Sequence, residues 1–345
     1  MNARIEALRA GLEEPLLVSN PLNVRYLTGF ESSNAALLVE PERLRLYTDF
    51  RYVTKGRMLA GVELVETRRA LLADLAERLS GRIGVEAAFL TYTGYETLAA
   101  GGLELVPHRG AVEALRAVKD DAELEAIRAA SAITNDAFVA ITSERFVGRT
   151  ERELAWRLQS LFHELGADGA AFPSIVAGGA GGATPHAETG SRVIEAGTTV
   201  VVDAGCMHAG YCSDCTRTFV TGSLPPRLAE AYAACLAGQQ VGLDAVRPGV
   251  SGAAADAAAR AVIEAAGFGE AFGHGLGHGV GLAVHEAPRL SPESEDVLAS
   301  GNVVTVEPGI YLEELGGVRI EDLVVVGEHG AEILTPFTKE PVTVA

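Results

Sequence analysis

Four acidic residues interrupt apolar, β-branched segments in the second half of this 345-residue chain. Asp203 ends the run TTVVVD, and Asp214 lies in YCSDCTRTFVTG, with Gly210 between them as a turn signal. A four-residue turn over Met207 to Gly210 predicts that the two carboxylates face each other across a hairpin, with Cβ atoms about 5 Å apart. The construction recurs where VVTVEPGIYL leads through EELGG into VRIEDLVVV. There a five-residue turn over Leu312 to Gly316 makes Glu307 and Glu321 cross-strand neighbours. Directly opposed like charges in apolar strands are destabilising unless a cation neutralises them or one carboxyl keeps its proton. Any one of these acids alone is explained by an ion pair, for which Arg217 and Arg319 are at hand. Two matched pairs on two hairpins favour a metal site built from oxygen ligands.

Histidines gather in the same half. FGHGLGHGVGLAVHE places His274, His278 and His285 among glycines at 273, 275, 277, 279 and 281. So much glycine excludes a stable helix, and with it a helical histidine pair for zinc. In an extended segment the glycines fall on one face and permit close backbone approach, while His274 and His278 share the other. Each histidine read singly is as compatible with structure as with function. His186, in ATPHAETG, fits turn chemistry or substrate contact equally well.

The elements that must position these groups divide into two domains, as the length suggests. From residue 15 to about 106, short apolar runs (15–19, 35–39, 44–48, 83–86 and 103–106) alternate with the helix-compatible segments FRYVTKGRMLA, ALLADLAERLS and TYTGYETLAA. This pattern predicts a compact α/β domain over 1–115. The remainder, 116–345, carries helices over roughly 120–142, 150–165, 225–245 and 251–266, separated by extended Gly-rich stretches that hold the polar residues of interest. Its layout is two helices followed by strands, twice over.

Asp plus Glu (46) outnumber Lys plus Arg (28), for a net charge of −18. Such a surface repels phosphate backbones and anionic lipid, which argues against nucleic-acid or membrane partners. No apolar run approaches the roughly 18 residues of a membrane span, and the opening MNARIEALRAGLEEP is too acidic for a signal peptide, so a cytoplasmic location is expected. Cys206, Cys212, Cys215 and Cys235 are too few for a disulfide scaffold. The C-x-x-C of Cys212 and Cys215 lies in a strand-like run without a second pair, which favours small buried thiols over a zinc ribbon or redox motif.

Taken together, Asp203, Asp214, His278, Glu307 and Glu321, with the strings PHAETG, VVDAG, SDCTRTFVTG, GHGLGHGVGLAVHE, EPGIY and GGVRIED, resemble the pita-bread metallopeptidases of the Xaa-Pro aminopeptidase and prolidase branch. NVRYLTGF and TDFRY resemble the creatinase-type N-terminal domain of that branch. The resemblance implies an α/β (α+β) chain with a creatinase-like domain followed by a pita-bread catalytic domain. It implies that the five named residues bind two divalent metal ions, Mn²⁺ first, with Co²⁺ or Zn²⁺ as alternatives. It assigns His186, His274 and His285 to the substrate cleft, His285 steadying the scissile carbonyl, and makes Arg319 a partner of the carboxylates.

The expected reaction is hydrolysis at an Xaa-Pro bond in proline-containing peptides by metal-activated water, with Asp214 and Glu321 bridging the metals and Glu307 shuttling the proton. The preferred reading is an aminopeptidase acting on longer peptides, and the alternative is a prolidase acting on dipeptides. Arg289, four residues past His285, is the group that could grip a dipeptide's carboxylate or else simply be solvated. A non-catalytic peptide-binding protein is the more distant alternative. The family also implies a homo-oligomer, a dimer or larger.

Overall fold

The structure, a computed structural model, describes residues 3–345. It divides into two compact units, the first ending at Arg116 and the second spanning Ala117–Ala345.

In the first unit a six-stranded mixed sheet runs in the order Glu63–Thr67, Leu44–Asp49, Ala35–Val39, Leu16–Val18, Arg82–Glu86 and Glu104–His108. Its core packs Leu17, Leu38, Tyr47 and Val85 against Leu75 and Leu98 of the helices Leu71–Arg78 and Tyr92–Ala100. Three elements escape the pattern of apolar runs. Strand Glu63–Thr67 mixes charged and apolar residues, as suits a half-exposed edge strand. Helix Ala3–Ala10 is short, and so is Pro21–Thr28, which is set by its ends: Asn20 caps it, proline opens it and Gly29 closes it at φ 72°. The segment expected to be helical over FRYVTKGRMLA forms only the single turn Val53–Gly56.

The second unit follows the predicted layout closely. Its helices are Asp121–Ile141, Glu151–Glu164, Pro226–Ala245 and Gly252–Ala265. The first two open with complete capping boxes, Asp120 with Glu123 and Thr150 with Glu153, which is why their starts are sharp. The first helix pair, through Phe138 and Phe162, and Phe146 of the connection between them pack onto Val200, Val202 and Phe219 of the sheet formed by Ile175–Gly178, Thr199–Asp203 and Thr216–Val220. The second pair packs through Leu243, Ala255 and Ala259 onto Leu276, Val304, Val306 and Val324, in a five-stranded sheet centred on Val303–Val306.

One hairpin register differs from expectation. Met207 pairs with Cys212 and His208 with Tyr211, so the turn holds only Ala209 and Gly210, at φ 48° and 77°. Two residues at positive φ make the tight turn whose twist suits a hairpin. Asp203 therefore lies opposite Thr216, and Asp214 becomes its diagonal neighbour. Because the slip is two residues, the side-chain face is unchanged. The second hairpin keeps the expected register, with Val306 opposite Asp322 and Gly309 opposite Arg319, which brackets Glu307 and Glu321 as neighbours. Its turn is tighter than expected, since Leu312 already pairs with Gly316.

The glycine-rich segment is extended, as its composition requires. Strand Gly277–Gly279 runs between Glu286–Leu290 and Val303–Val306, and a methyl group at Gly277 or Gly279 would collide with the carbonyl of Thr305 or Ala287. Gly277→Ala is therefore expected to push this strand off its neighbour and to cost about 1–3 kcal/mol. Urea unfolding measures it, and an unchanged midpoint would show that the neighbour yields freely.

Candidate metal centre

The acidic residues sit where strand pairing is interrupted. Asp203 closes Thr199–Asp203, and Asp214 lies between Tyr211–Cys212 and Thr216–Val220. Glu307 lies between Val303–Val306 and Gly309–Leu312, with Pro308 breaking the strand, and Glu321 lies between Gly316–Arg319 and Asp322–Gly327. Carboxylate oxygens of Asp203, Asp214 and Glu321 come within 4.8 Å of one another. Asp214 and Glu321 are 5% and 2% exposed, so water cannot screen their repulsion.

The electrostatics follow. Burial first, then the charges of Glu321, Asp203 and Glu307, push the Asp214 carboxyl well above the usual carboxylate range. Burial, with the charges of Glu307 and Asp203, does the same to Glu321. Asp203 is raised by burial but relieved by Arg319, whose Nη2 donates to its Oδ2 at 2.7 Å. The other Asp203 oxygen is buried without a hydrogen-bond partner. A buried carboxylate oxygen left unpaired beside two further carboxylates is the donor set a hard divalent cation satisfies.

His278 and Glu307 complete the group. His278 Nε2 lies 3.2 Å from Glu307 Oε1 and 3.8 Å from Asp214 Oδ2. Burial pushes Glu307 up, but the hydrogen bond and charge of His278 outweigh it and hold the carboxyl at about 2. Thr305 Oγ1 donates to Glu307 Oε1 at 3.0 Å and accepts from His278 N at 3.0 Å, so one hydroxyl orients both. All five residues expected to hold metal thus converge.

Arg319 organises the other side. It reaches Asp203, Thr216 Oγ1 at 3.1 Å, Tyr311 Oη at 2.9 Å and the Pro185 carbonyl at 3.0 Å. The Thr216 hydroxyl in turn donates to Glu321 Oε2 at 2.7 Å. His274 Nε2 lies 2.9 Å from Tyr311 Oη, which joins that histidine to the same network, and burial lowers its pKa. The His285 ring is 4.3 Å from that of His278, and its pKa is lowered by burial and by the charge of His278. His186 is exposed, and the carbonyl of its neighbour Pro185 accepts from Arg319, which ties its loop to the same network. Arg217 does not serve the four acids' side chains: it is buried on Asp322 at 2.7 Å and on backbone carbonyls.

Thr216, Thr305 and Tyr311 were not foreseen as contributors. A signal for the threonines was present: each stands two residues from a ligand, as Arg319 stands two before Glu321, the spacing that shares one strand face. The four cysteines are all buried, and among the described residues they form no disulfide. Burial pushes the thiols of Cys215 and Cys235 up, Cys235 to about 12, which suppresses the reactive thiolate. No helix among the described residues is long and apolar enough to cross a membrane.

With this geometry in hand, the comparisons with known proteins are specific. Residues 125–328 match the metallopeptidase family M24, and residues 4–118 match the creatinase/prolidase N-terminal domain. The chain therefore belongs to the M24 metallopeptidases, hydrolases of the pita-bread fold, in the branch that carries a creatinase-like N-terminal domain. It is 34% identical to the Xaa-Pro dipeptidase of Pyrococcus furiosus over 99% of both chains. The solved structure of an Xaa-Pro dipeptidase from Bacillus anthracis superposes with a TM-score of 0.95 at 36% identity, covering 99% of each chain. An X-Pro aminopeptidase from Thermotoga maritima matches with a TM-score of 0.87 at 32% identity over 96% of this chain and 97% of that one.

If the carboxylate cluster takes up cations, adding Mn²⁺ to metal-free protein should raise its Tm, by about 2.7 kcal/mol of stability at a hundredfold excess over Kd. Asp214→Asn should abolish most of that rise. A wild-type Tm indifferent to Mn²⁺, Co²⁺ and Zn²⁺ alike would exclude a metal role for the cluster.

Proposed function

We propose that this protein is an Xaa-Pro dipeptidase in which Asp203, Asp214, His278, Glu307 and Glu321 hold two divalent cations. Mn²⁺ suits four carboxylates and one imidazole best, with Co²⁺ or Zn²⁺ as alternatives. When bound, the cations supply Lewis acidity and an activated water for attack on the scissile carbonyl.

The chain's own groups do the rest. Glu307, oriented by Thr305, is placed to accept a proton from water and release it toward the proline nitrogen. His285 lies beside His278, and its imidazole, which carries a ring N–H in either protonation state, is the group to donate to the carbonyl oxygen as that atom gains charge. His186 supports the same oxygen from the facing loop. His274 borders the substrate side and is steadied through Tyr311. Arg319 fixes Asp203 and, through Thr216, Glu321.

The dipeptide preference, which reverses the order expected from sequence, rests on Arg289. Its Cα pairs with that of His278 across the strands Gly277–Gly279 and Glu286–Leu290, so the two side chains share a face. Arg289 is exposed, forms no ion pair among the described residues, and its charge is felt by His285. A guanidinium on the strand next to His278 suits the carboxylate that every dipeptide carries just past its scissile bond. Relatives aligned over their whole length as Xaa-Pro dipeptidases support the same reading.

Kinetics decide between the two substrate lengths. Gly-Pro is expected to exceed Gly-Pro-Gly in kcat/KM, and Arg289→Ala should raise KM for Gly-Pro about 10- to 100-fold while leaving the slower turnover of a C-terminally amidated substrate unchanged. A preference for the tripeptide, insensitive to Arg289→Ala, would instead establish the aminopeptidase. Metal-replete protein inert on both would point to a peptide-binding role.

A further inference from the structure

The connection between strands Ile175–Gly178 and Thr199–Asp203 begins with a loop over 178–190 that carries His186, and the two ends of that loop converge on one buried side chain. Glu151, 3% exposed, is the first residue of the helix Glu151–Glu164. Its Oε1 accepts from Gly178 N at 3.0 Å and its Oε2 from Gly190 N at 3.0 Å. The Arg192 guanidinium lies 3.6 Å from Oε1 and supplies the countercharge. The helix does not require this carboxylate for its own start, because Thr150 and Glu153 already form a complete capping box. Both oxygens are instead spent on the loop.

The loop is held at its tip as well. Pro185, next to His186, accepts through its carbonyl from Arg319 Nη1 at 3.0 Å, the same guanidinium that holds Asp203. In its middle, Gly182 presses its carbonyl so closely on Gly317 that a side chain at 317 would collide with it. The tip thus takes its position from the metal-ligand network, and the ends take theirs from Glu151. An imidazole that must meet a carbonyl oxygen at hydrogen-bond distance tolerates little slack in such a support.

We infer that Glu151 is a positioning residue: it closes the His186 loop at its base and acts on turnover through His186. The inference rests on the role given to His186 above. Two backbone N–H groups facing one carboxylate demand two acceptors, and a glutamine amide offers only one. Glu151→Gln is therefore expected to lower kcat/KM for Gly-Pro about tenfold, to leave the Mn²⁺ affinity unchanged, and to speed hydrogen exchange within residues 178–190 but not in the Asp203 strand.

A double-mutant cycle with His186→Ala is the decisive measurement. If Glu151 acts through His186, Glu151→Gln costs less than about twofold once His186 is gone. Losses that multiply would overturn the inference while leaving His186 its role. A His186→Ala variant as active as wild type would overturn that role and the inference with it. Should Glu151→Gln fail to fold, Thr189→Val serves in the same cycle. It removes the hydroxyl that donates to the Ser174 carbonyl and accepts from Val176 N, and so loosens the same end of the loop without touching Glu151.

Discussion

Three carboxylates whose oxygens lie within 4.8 Å of one another, two of them almost wholly buried, are the constraint around which the second unit is organised. Like charges at that separation in a poorly screened interior oppose folding. The surrounding structure holds them there by means that do not depend on the acids themselves. Aromatic and aliphatic cores under each helix pair fix the two sheets, and the acids occupy the last residue of one strand and the interruptions of others. Stability and function thus reside on different residues of the same strands, the usual condition for a strained site to persist.

Around the acids, orientation is set by neutral hydroxyls and one guanidinium. Thr305 serves Glu307 and the His278 backbone together, and Thr216 joins Arg319 to Glu321. Arg319 answers part of the negative charge without filling the cluster, since one oxygen of Asp203 stays unpartnered. That division matters physically. A side-chain cation lodged among the acids would neutralise them and block the site, whereas the Arg319 guanidinium at its edge lowers the repulsion and leaves the donor face open.

The acids, His278 and their supports bear on hydrolysis alone. In the reading proposed above, substrate length is decided outside this centre by Arg289, which stands eleven positions from His278 in sequence and is its direct neighbour across the sheet.

Much of this was legible before any coordinates. Helix-period patterning between Gly-rich stretches located the four long helices of the second unit to within a residue or two, glycine content excluded a helical histidine pair, and hairpin spacing put Glu307 beside Glu321. These are local properties, set by sterics and by which face of an element is apolar. The turn after Met207 was misjudged because a two-residue turn at positive φ is compatible with Ala-Gly but not announced by it, and the error did no harm to the face assignment since it spanned an even number of residues. Sequence by itself thus determined which residues could ligate and on which strand face they stand. Only the tertiary structure decided that Asp214 meets Glu321 across two hairpins, that Arg217 turns instead to Asp322, and that Glu151 closes the loop of His186. Those contacts join residues far apart in the chain, and spacing along a strand carries no information about what packs against it from another.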